Sequence, residues 1–252
     1  MLIVIPARLG SWRFPNKPLT MIEGMPMIEH VYRRSLLVNA ADEVVVAVCE
    51  DKVLKACEAF GAKVVMTDKS HQTATDRVAE AAKKIGYVKE DDIVINVQGD
   101  EPVVPPPVIE MTVERLLSNS RSNCANLVEE IKDLADLSNH HRIKAVISKN
   151  NRLIYLTRQQ IPASVFDINK RANFYRQTCI MAFRGPFLQY FFRLERTPLE
   201  LIEGIDMLRL IENDFPIASG VSPYLTHPVD IPEDVHLVVK LLKKDKWFRN
   251  GY

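Results

Sequence analysis

Short, continuous apolar runs recur along the first part of the chain, at residues 2–6, 44–48, 63–66 and 93–97, and the stretches between them carry apolar positions at helical spacing. Met27, Ile28, Val31, Tyr32 and Leu36 recur at three- and four-residue intervals, as do Val53, Leu54, Cys57 and Phe60, so each set makes one apolar helix face. Strands with little apolar/polar alternation are buried on both faces. Alternating with such helices, they predict βαβ units: an α/β class with a Rossmann-like three-layer α/β/α arrangement around a mostly parallel sheet.

After Pro105-Pro106-Pro107 the regular pattern ends. Residues 144–148 and 152–156 read as strands on either side of a Lys149-Asn150-Asn151 turn, a hairpin that breaks the βα alternation. A strand at 178–183, a helix from about 199 to 211 and a closing helix over 232–242 with Pro232 in its first turn complete the pattern. The expectation is a single domain with an antiparallel excursion in its second half.

The 252 residues carry 33 Lys+Arg against 32 Asp+Glu, a formal net charge of +1. That balance gives no electrostatic case for a nucleic-acid or anionic membrane partner, while leaving room for a local basic pocket for phosphates. No apolar run approaches the roughly 20 residues of a membrane span. Arg8 follows the first apolar stretch instead of preceding it, which is not the order of a secretory signal, and a cytoplasmic protein is expected. Cys49, Cys57, Cys124 and Cys179 are scattered and form no CxxC, so buried free thiols are expected in place of a zinc site or disulfide framework.

In open parallel sheets ligands sit beyond the carboxyl ends of the strands. The loop after the first run, Pro6-Ala7-Arg8-Leu9-Gly10-Ser11-Trp12-Arg13-Phe14-Pro15-Asn16-Lys17, suits a triphosphate: Gly10 and Ser11 can turn N–H groups toward phosphate oxygens, and Arg8, Arg13 and Lys17 supply positive charge. The same composition also fits a solvated basic loop. Neither GxGxxG nor GxxxxGK[ST] occurs, which argues against dinucleotide dehydrogenases and P-loop ATPases. Asn96-Val97-Gln98-Gly99-Asp100-Glu101-Pro102 runs a strand into two carboxylates, a natural place for Mg2+ or a turn kept for backbone reasons. Val229-Asp230-Ile231-Pro232-Glu233-Asp234 and His71-Gln72-Thr73-Ala74-Thr75-Asp76-Arg77 precede helices, where binding and capping are both open.

Taken in order, Ile5-Pro6-Ala7-Arg8, Arg13-Phe14-Pro15-Asn16-Lys17-Pro18-Leu19, the Asn96 to Pro102 segment and the Val229 to Asp234 segment resemble the signatures of the CMP-Kdo synthetases, the 3-deoxy-manno-octulosonate cytidylyltransferases. His71-Gln72 with Thr75 and Arg77, residues 155–162 including Arg158, and Thr197-Pro198-Leu199-Glu200 ahead of Leu208-Arg209 extend the resemblance across essentially the whole chain. It implies a reaction in which a sugar acid's anomeric hydroxyl attacks the α-phosphorus of CTP and expels pyrophosphate. It further implies a CTP-binding half over residues 1–105 and a sugar-acid-binding and dimerisation half over 106–252. By the same resemblance Asp100 and Asp230 are the Mg2+ ligands, and Arg8 and Lys17 hold the triphosphate and with Asp100 make the catalytic set. Pro6, Ala7, Gly10, Ser11, Arg13, Thr75 and Arg77 belong to the nucleotide site, while Gln98, Arg158, Gln177, Met181, Asp206 and Met207 face the 2-keto-3-deoxy sugar acid. A homodimer is implied, with Tyr190-Phe191-Phe192 open to an interface or a core role.

Asn16 replaces a family glycine, and asparagine tolerates left-handed backbone. Gln177 stands where the family has a sugar-facing histidine, Met181 where it has a tyrosine, and Asp206-Met207 where it has a Glu-Gln pair. These changes fall on the acceptor segments alone. They predict an acceptor preference displaced from Kdo, with a cytidylyltransferase for a different acid as one alternative and a non-catalytic nucleotide-binding homologue as another. Retention of Arg8, Lys17, Asp100 and Asp230 argues against the last.

Overall fold

A computed structural model describes residues 1–10, 13–133, 135–163 and 173–252. Strand β1 (Leu2–Pro6) is apolar throughout and takes a central place, paired in parallel with β4 (Glu43–Val48) on one side and β6 (Ile93–Val97) on the other. The loop after β1 closes through a small ribbon, β2 (Met21–Ile22) and β3 (Met25–Pro26), and β5 (Val64–Met66) extends the sheet beyond β4. Helices α1 (Met27–Leu36), α2 (Asp51–Ala59) and α3 (Ala74–Ile85) are the crossovers. Ile3 and Ile5 pack with Ile28, Val31, Val53 and Cys57 on one face, and Leu2 and Val4 with Val78, Ala81 and Ala82 on the other. That two-sided burial is why β1 lacks alternation, and the Rossmann-like expectation holds. Leu36 departs from it, being exposed at the end of α1.

The second half differs more. Helix α4 (Pro106–Leu117) begins within the proline run, whose residues fit a helix's first turn, and leads to β7 (Cys124–Glu130). Neither element follows from the apolar pattern, because Asn126 and Glu129 interrupt β7 although both are fully buried. After the short α5 (Ala135–Ser138), strands β8 (Lys144–Ile147) and β9 (Leu153–Thr157) form the expected hairpin, with Asn151 at φ +55° in its turn. Strand β10 (Tyr175–Arg184) inserts between β6 and β7 and runs antiparallel to both, longer than its apolar centre suggests.

Helix α6 (Gly185–Arg193) buries Phe191 and leaves Tyr190 and Phe192 exposed, so the aromatic triplet divides between core and surface. The single helix expected over 199–211 is two, α7 (Pro198–Glu203) and α8 (Leu208–Glu212), interrupted where Gly204 takes φ +63°. Buried Arg209 fixes the break. It bonds Glu200 through Nε at 2.8 Å and Nη2 at 2.7 Å, reaches Asp76 at 3.0 Å, and lies 4.2 Å above the Phe191 ring.

Strands β11 (Ile217–Ala218) and β12 (Val221–Ser222) run parallel to β7. Helix α9 (Asp234–Leu242) packs Val238 and Leu242 against Ile22, Met27 and Val103, and the short α10 (Lys246–Arg249) follows. Cys49, Cys57 and Cys124 are buried free thiols as expected, whereas Cys179 is half-buried. No helix among the described residues is long and apolar enough to cross a membrane.

Candidate active site

Strands β1 and β6 end side by side, and the turns that follow them touch. A Cβ on Gly99 would lie 2.7 Å from the Pro6 carbonyl oxygen and 3.1 Å from Ile28 Cδ1, so a residue without one lets the 98–101 turn close on the end of β1. Opposite that turn, Asn16 adopts φ +57°, the left-handed conformation its side chain tolerates, and launches a 3-10 turn over Lys17–Leu19. Lys17 Nζ thereby donates to Asp100 Oδ2 at 2.5 Å. Burial tends to depress the lysine's pKa, but the charge and hydrogen bond of Asp100 outweigh it and the ammonium is held above its ordinary value.

The Val229 N–H donates to the Asp100 carbonyl oxygen at 2.9 Å, which brings the 229–234 segment beside the 98–101 turn. Asp234 supplies the helix-entry bonds, its Oδ2 accepting from the N–H groups of Asp230 at 2.7 Å and Ile231 at 3.1 Å. Helix α9 therefore starts at Asp234 and not at Pro232, and the Asp230 carboxylate is free to face Arg142 at 3.8 Å and Arg13 at 3.9 Å. Burial raises the Asp230 pKa, the charge of Asp100 adds to this, and Lys17, Arg142 and Arg13 oppose it.

Two mutually repelling carboxylates in a half-buried cleft are a donor set for a divalent cation. Among the described residues no group of three or more His, Cys, Asp and Glu forms a metal cage. The pair fits Mg2+, which takes one or two carboxylates and completes its shell with water and substrate phosphates.

The cleft has two joined lobes. The smaller, about 280 Å³, is lined by Pro6, Ala7, Gly10, Lys17 and Arg77, all from the parallel half. The larger, about 430 Å³, is lined by Arg142, Arg158, Gln177, Met181 and Asp206. Arg8, Arg13, Thr73, Gln98 and Asp100 line both. Thr73 also caps α3, its Oγ1 accepting from the Asp76 N–H at 3.1 Å, so the capping and cleft readings of this segment coexist. Thr75 is a correction: fully buried, it lines neither lobe and receives Asn96 Nδ2 at 3.2 Å behind the wall. Arg77 reaches the smaller lobe but donates to Thr67 Oγ1. Ser11 lies outside the described residues.

Arg158 is held by α7, its Nε donating to the Glu203 carbonyl oxygen at 2.8 Å and its N–H to Glu203 Oε2 at 2.9 Å. Asp206, on the loop opened by the Gly204 break, has its carboxyl raised by burial and lowered by a hydrogen bond from Thr75. Its neighbour corrects a second expectation. Met207 is fully buried in the core with Leu188, Phe191 and Leu208 and lines neither lobe, because consecutive residues at the start of α8 point to different sides.

The sequence reading did not single out Arg142, Arg176 or Glu129, which also line the larger lobe. Buried Arg176 bonds Glu129 Oε1 at 2.5 Å and the Thr226 carbonyl oxygen at 2.9 Å. No local spacing joins these residues; the insertion of β10 beside β7 does. Glu101, beside Asp100, is fully buried and its carboxyl is pushed up to about 8 by burial and by the charges of Asp100 and Glu129.

Residues 2–217 match the cytidylyltransferase family. The chain is 40% identical over 244 residues to the 3-deoxy-manno-octulosonate cytidylyltransferase of Francisella tularensis subsp. holarctica, covering 95% of this chain and 97% of that protein. It is 37% identical over 250 residues to the enzyme of the same name from Thermodesulfovibrio yellowstonii, covering 95% and 96%. A solved CMP:2-keto-3-deoxy-manno-octonic acid synthetase complexed with CTP superimposes with a TM-score of 0.86 at 34% identity, over 96% of this chain and 98% of that one. A cytidylyltransferase from Leptospira borgpetersenii shares the fold, with a TM-score of 0.63 at 18% identity, over 96% of this chain and 86% of that one. With the strand-end segments that carry the resemblance lining one cleft and the similarity running nearly end to end, the chain is a nucleotidyltransferase that belongs to the cytidylyltransferase family, among the 3-deoxy-manno-octulosonate cytidylyltransferases.

Proposed function

We propose that the protein transfers CMP from CTP to the anomeric hydroxyl of Kdo or a closely related 2-keto-3-deoxy sugar acid, with Mg2+ held by Asp100 and Asp230. The observation that carries this is the meeting of the two lobes at Arg8, Arg13, Gln98 and Asp100. A nucleotide in the smaller lobe and an acid in the larger would present the α-phosphorus to the hydroxyl there. The hydroxyl oxygen bonds to the α-phosphorus, the bond from that phosphorus to the bridging oxygen breaks, pyrophosphate leaves with that oxygen, and the hydroxyl proton passes to solvent water.

Positioning and charge do the work in such a displacement. Lys17, Arg8 and Arg13 hold the triphosphate and offset the charge that grows on the departing pyrophosphate. Arg158 and Arg142 suit the acceptor's carboxylate, as planar cations anchored at the larger lobe. Bound at the two aspartates, Mg2+ supplies Lewis-acid charge to the phosphates.

Gln177, Met181 and Asp206 keep a related acid in view as acceptor, since all three line the larger lobe. Exposed Tyr190, Phe192, Leu201 and Ile202 are the apolar side chains we assign to a homodimer, and a CTP-consuming reaction fits a cytoplasmic protein. Pyrophosphate release from CTP and Mg2+ across a panel of ulosonic and sialic-type acids tests the reading. Turnover with Kdo or a congener is expected. Kdo outperforming every other acid would remove the displaced-acceptor reading, and no turnover with any acid would refute the function.

A further inference from the structure

Met181 lies between two buried asparagines. In the sheet register it is opposite Asn96 of β6 on one side and Asn126 of β7 on the other, so the three side chains form one row on one face. Each asparagine holds a glutamine that lines the larger lobe: Gln98 Nε2 donates to Asn96 Oδ1 at 3.3 Å, and Gln177 Nε2 donates to Asn126 Oδ1 at 2.7 Å.

The direction of these bonds is set from behind. Between Gln177 and Met181 the pairing of β10 with β7 shifts register, because β7 advances only from Val128 to Asn126 over that stretch. Asn126 Nδ2 fills the resulting bulge, donating to the carbonyl oxygens of Thr178 at 2.9 Å and Ile180 at 2.8 Å. A carbonyl can only accept, so Asn126 must turn its nitrogen to the bulge and its oxygen to Gln177. Gln177 must then spend its nitrogen on Asn126, and its Oε1 has no partner among the described residues.

The other side repeats the logic. Thr75 donates its hydroxyl hydrogen bond to the Asp206 carboxylate and accepts from Asn96 Nδ2 at 3.2 Å, and the Asn96 oxygen is left for Gln98. The Gln98 N–H is tied to the same bulge, donating to the Cys179 carbonyl oxygen at 3.2 Å.

We propose that Asn126 is a positioning residue that fixes the Gln177 amide with its carbonyl oxygen toward the acceptor. Together with Gln98 it makes the floor of the larger lobe two hydrogen-bond acceptors flanking the Met181 thioether. That floor selects a sugar-acid segment with two hydroxyl donors on either side of a C–H face that rests on Met181. The inference rests on the larger lobe being the acceptor site.

The test uses the intact enzyme with CTP, Mg2+ and the best acid of the panel, alongside analogues in which single hydroxyls are replaced by fluorine, which cannot donate. At two positions kcat/KM should fall by about 10²-fold, because each leaves a glutamine carbonyl oxygen that the bound acid covers without a donor. In Gln177→Leu the penalty at one of those positions should collapse to within about threefold, with the KM for CTP unchanged. Asn126→Leu should behave alike, and Gln177→Leu carries the test if that variant fails to fold. Fluorinated analogues used as well as the parent acid, or a penalty that survives Gln177→Leu, would overturn this inference alone. Absence of turnover with every unmodified acid would overturn the acceptor-site reading and the inference with it.

Discussion

Gly99→Ala should loosen the contact on which the candidate metal site is built. The backbone of Gly99 is not in the left-handed region, so alanine's own conformational preference is not at issue; the added methyl is. It would sit 2.7 Å from the Pro6 carbonyl oxygen, where an ordinary contact begins beyond 3.4 Å, and 3.1 Å from Ile28 Cδ1. The isoleucine can give by a few tenths of an ångström. The Pro6 oxygen belongs to central β1 and cannot move without pulling the sheet, so the 98–101 turn must yield. Overpacking of this kind costs ~1–3 kcal/mol, which for a chain of this length lowers Tm by roughly 2–10 °C. Because Asp100 is the next residue, its carboxylate shifts with the turn, and a displacement approaching 1 Å costs on the order of 10²-fold in turnover. Denaturant unfolding gives the stability term, and pyrophosphate release against Mg2+ concentration gives the second, with a raised Mg2+ requirement expected. An alanine variant with an unchanged unfolding midpoint and an unchanged Mg2+ requirement would show that the close approach is not what places Asp100.

Asp100→Ala and Asp230→Ala should each abolish most pyrophosphate release while unfolding near wild type, since each removes one of two carboxylates from the proposed Mg2+ site; near-normal turnover at low Mg2+ would refute the assignment. Arg209→Leu should cost ~3–5 kcal/mol in urea unfolding, because buried Glu200 then loses its bidentate partner inside the protein; a loss below ~1 kcal/mol would mean solvent replaces the pair. His227 is pushed down to about 4 by burial and by the nearby Arg176 and Arg142 charges. Between the ordinary histidine value and that one the unfolded chain binds a proton the folded chain does not, so stability falls as the solution is acidified through this window. His227→Gln should remove about 1–2 kcal/mol of that loss between pH 6.5 and pH 4.5, after allowance for partial solvent exposure, as read from urea midpoints at the two pH values.

The amino-acid pattern by itself determined the parallel half of the fold, because continuous apolar runs such as residues 2–6 have no stable place except a strand covered on both faces. It also put Arg8 and Asp100 just beyond such runs, where a parallel sheet opens to ligands and where both line the cleft, whereas Asp230, in a turn ahead of a helix, entered only through the family resemblance. The second half depended on contacts between residues far apart in sequence. Asn126 and Glu129 hid β7 because a polar residue reads as exposed until its partners, Gln177 and the bulge carbonyls for one and Arg176 and Thr226 for the other, are beside it. The break at Gly204 separated Asp206, which faces the cleft, from Met207, which enters the core, a distinction the continuous apolar spacing of residues 199–211 does not contain. Periodicity reports which side of an element avoids water. Which buried polar groups are satisfied, and which side chains meet in the cleft, was decided only when β10 inserted between β6 and β7, because hydrogen-bond partners across that insertion are set by strand register and not by nearness along the chain.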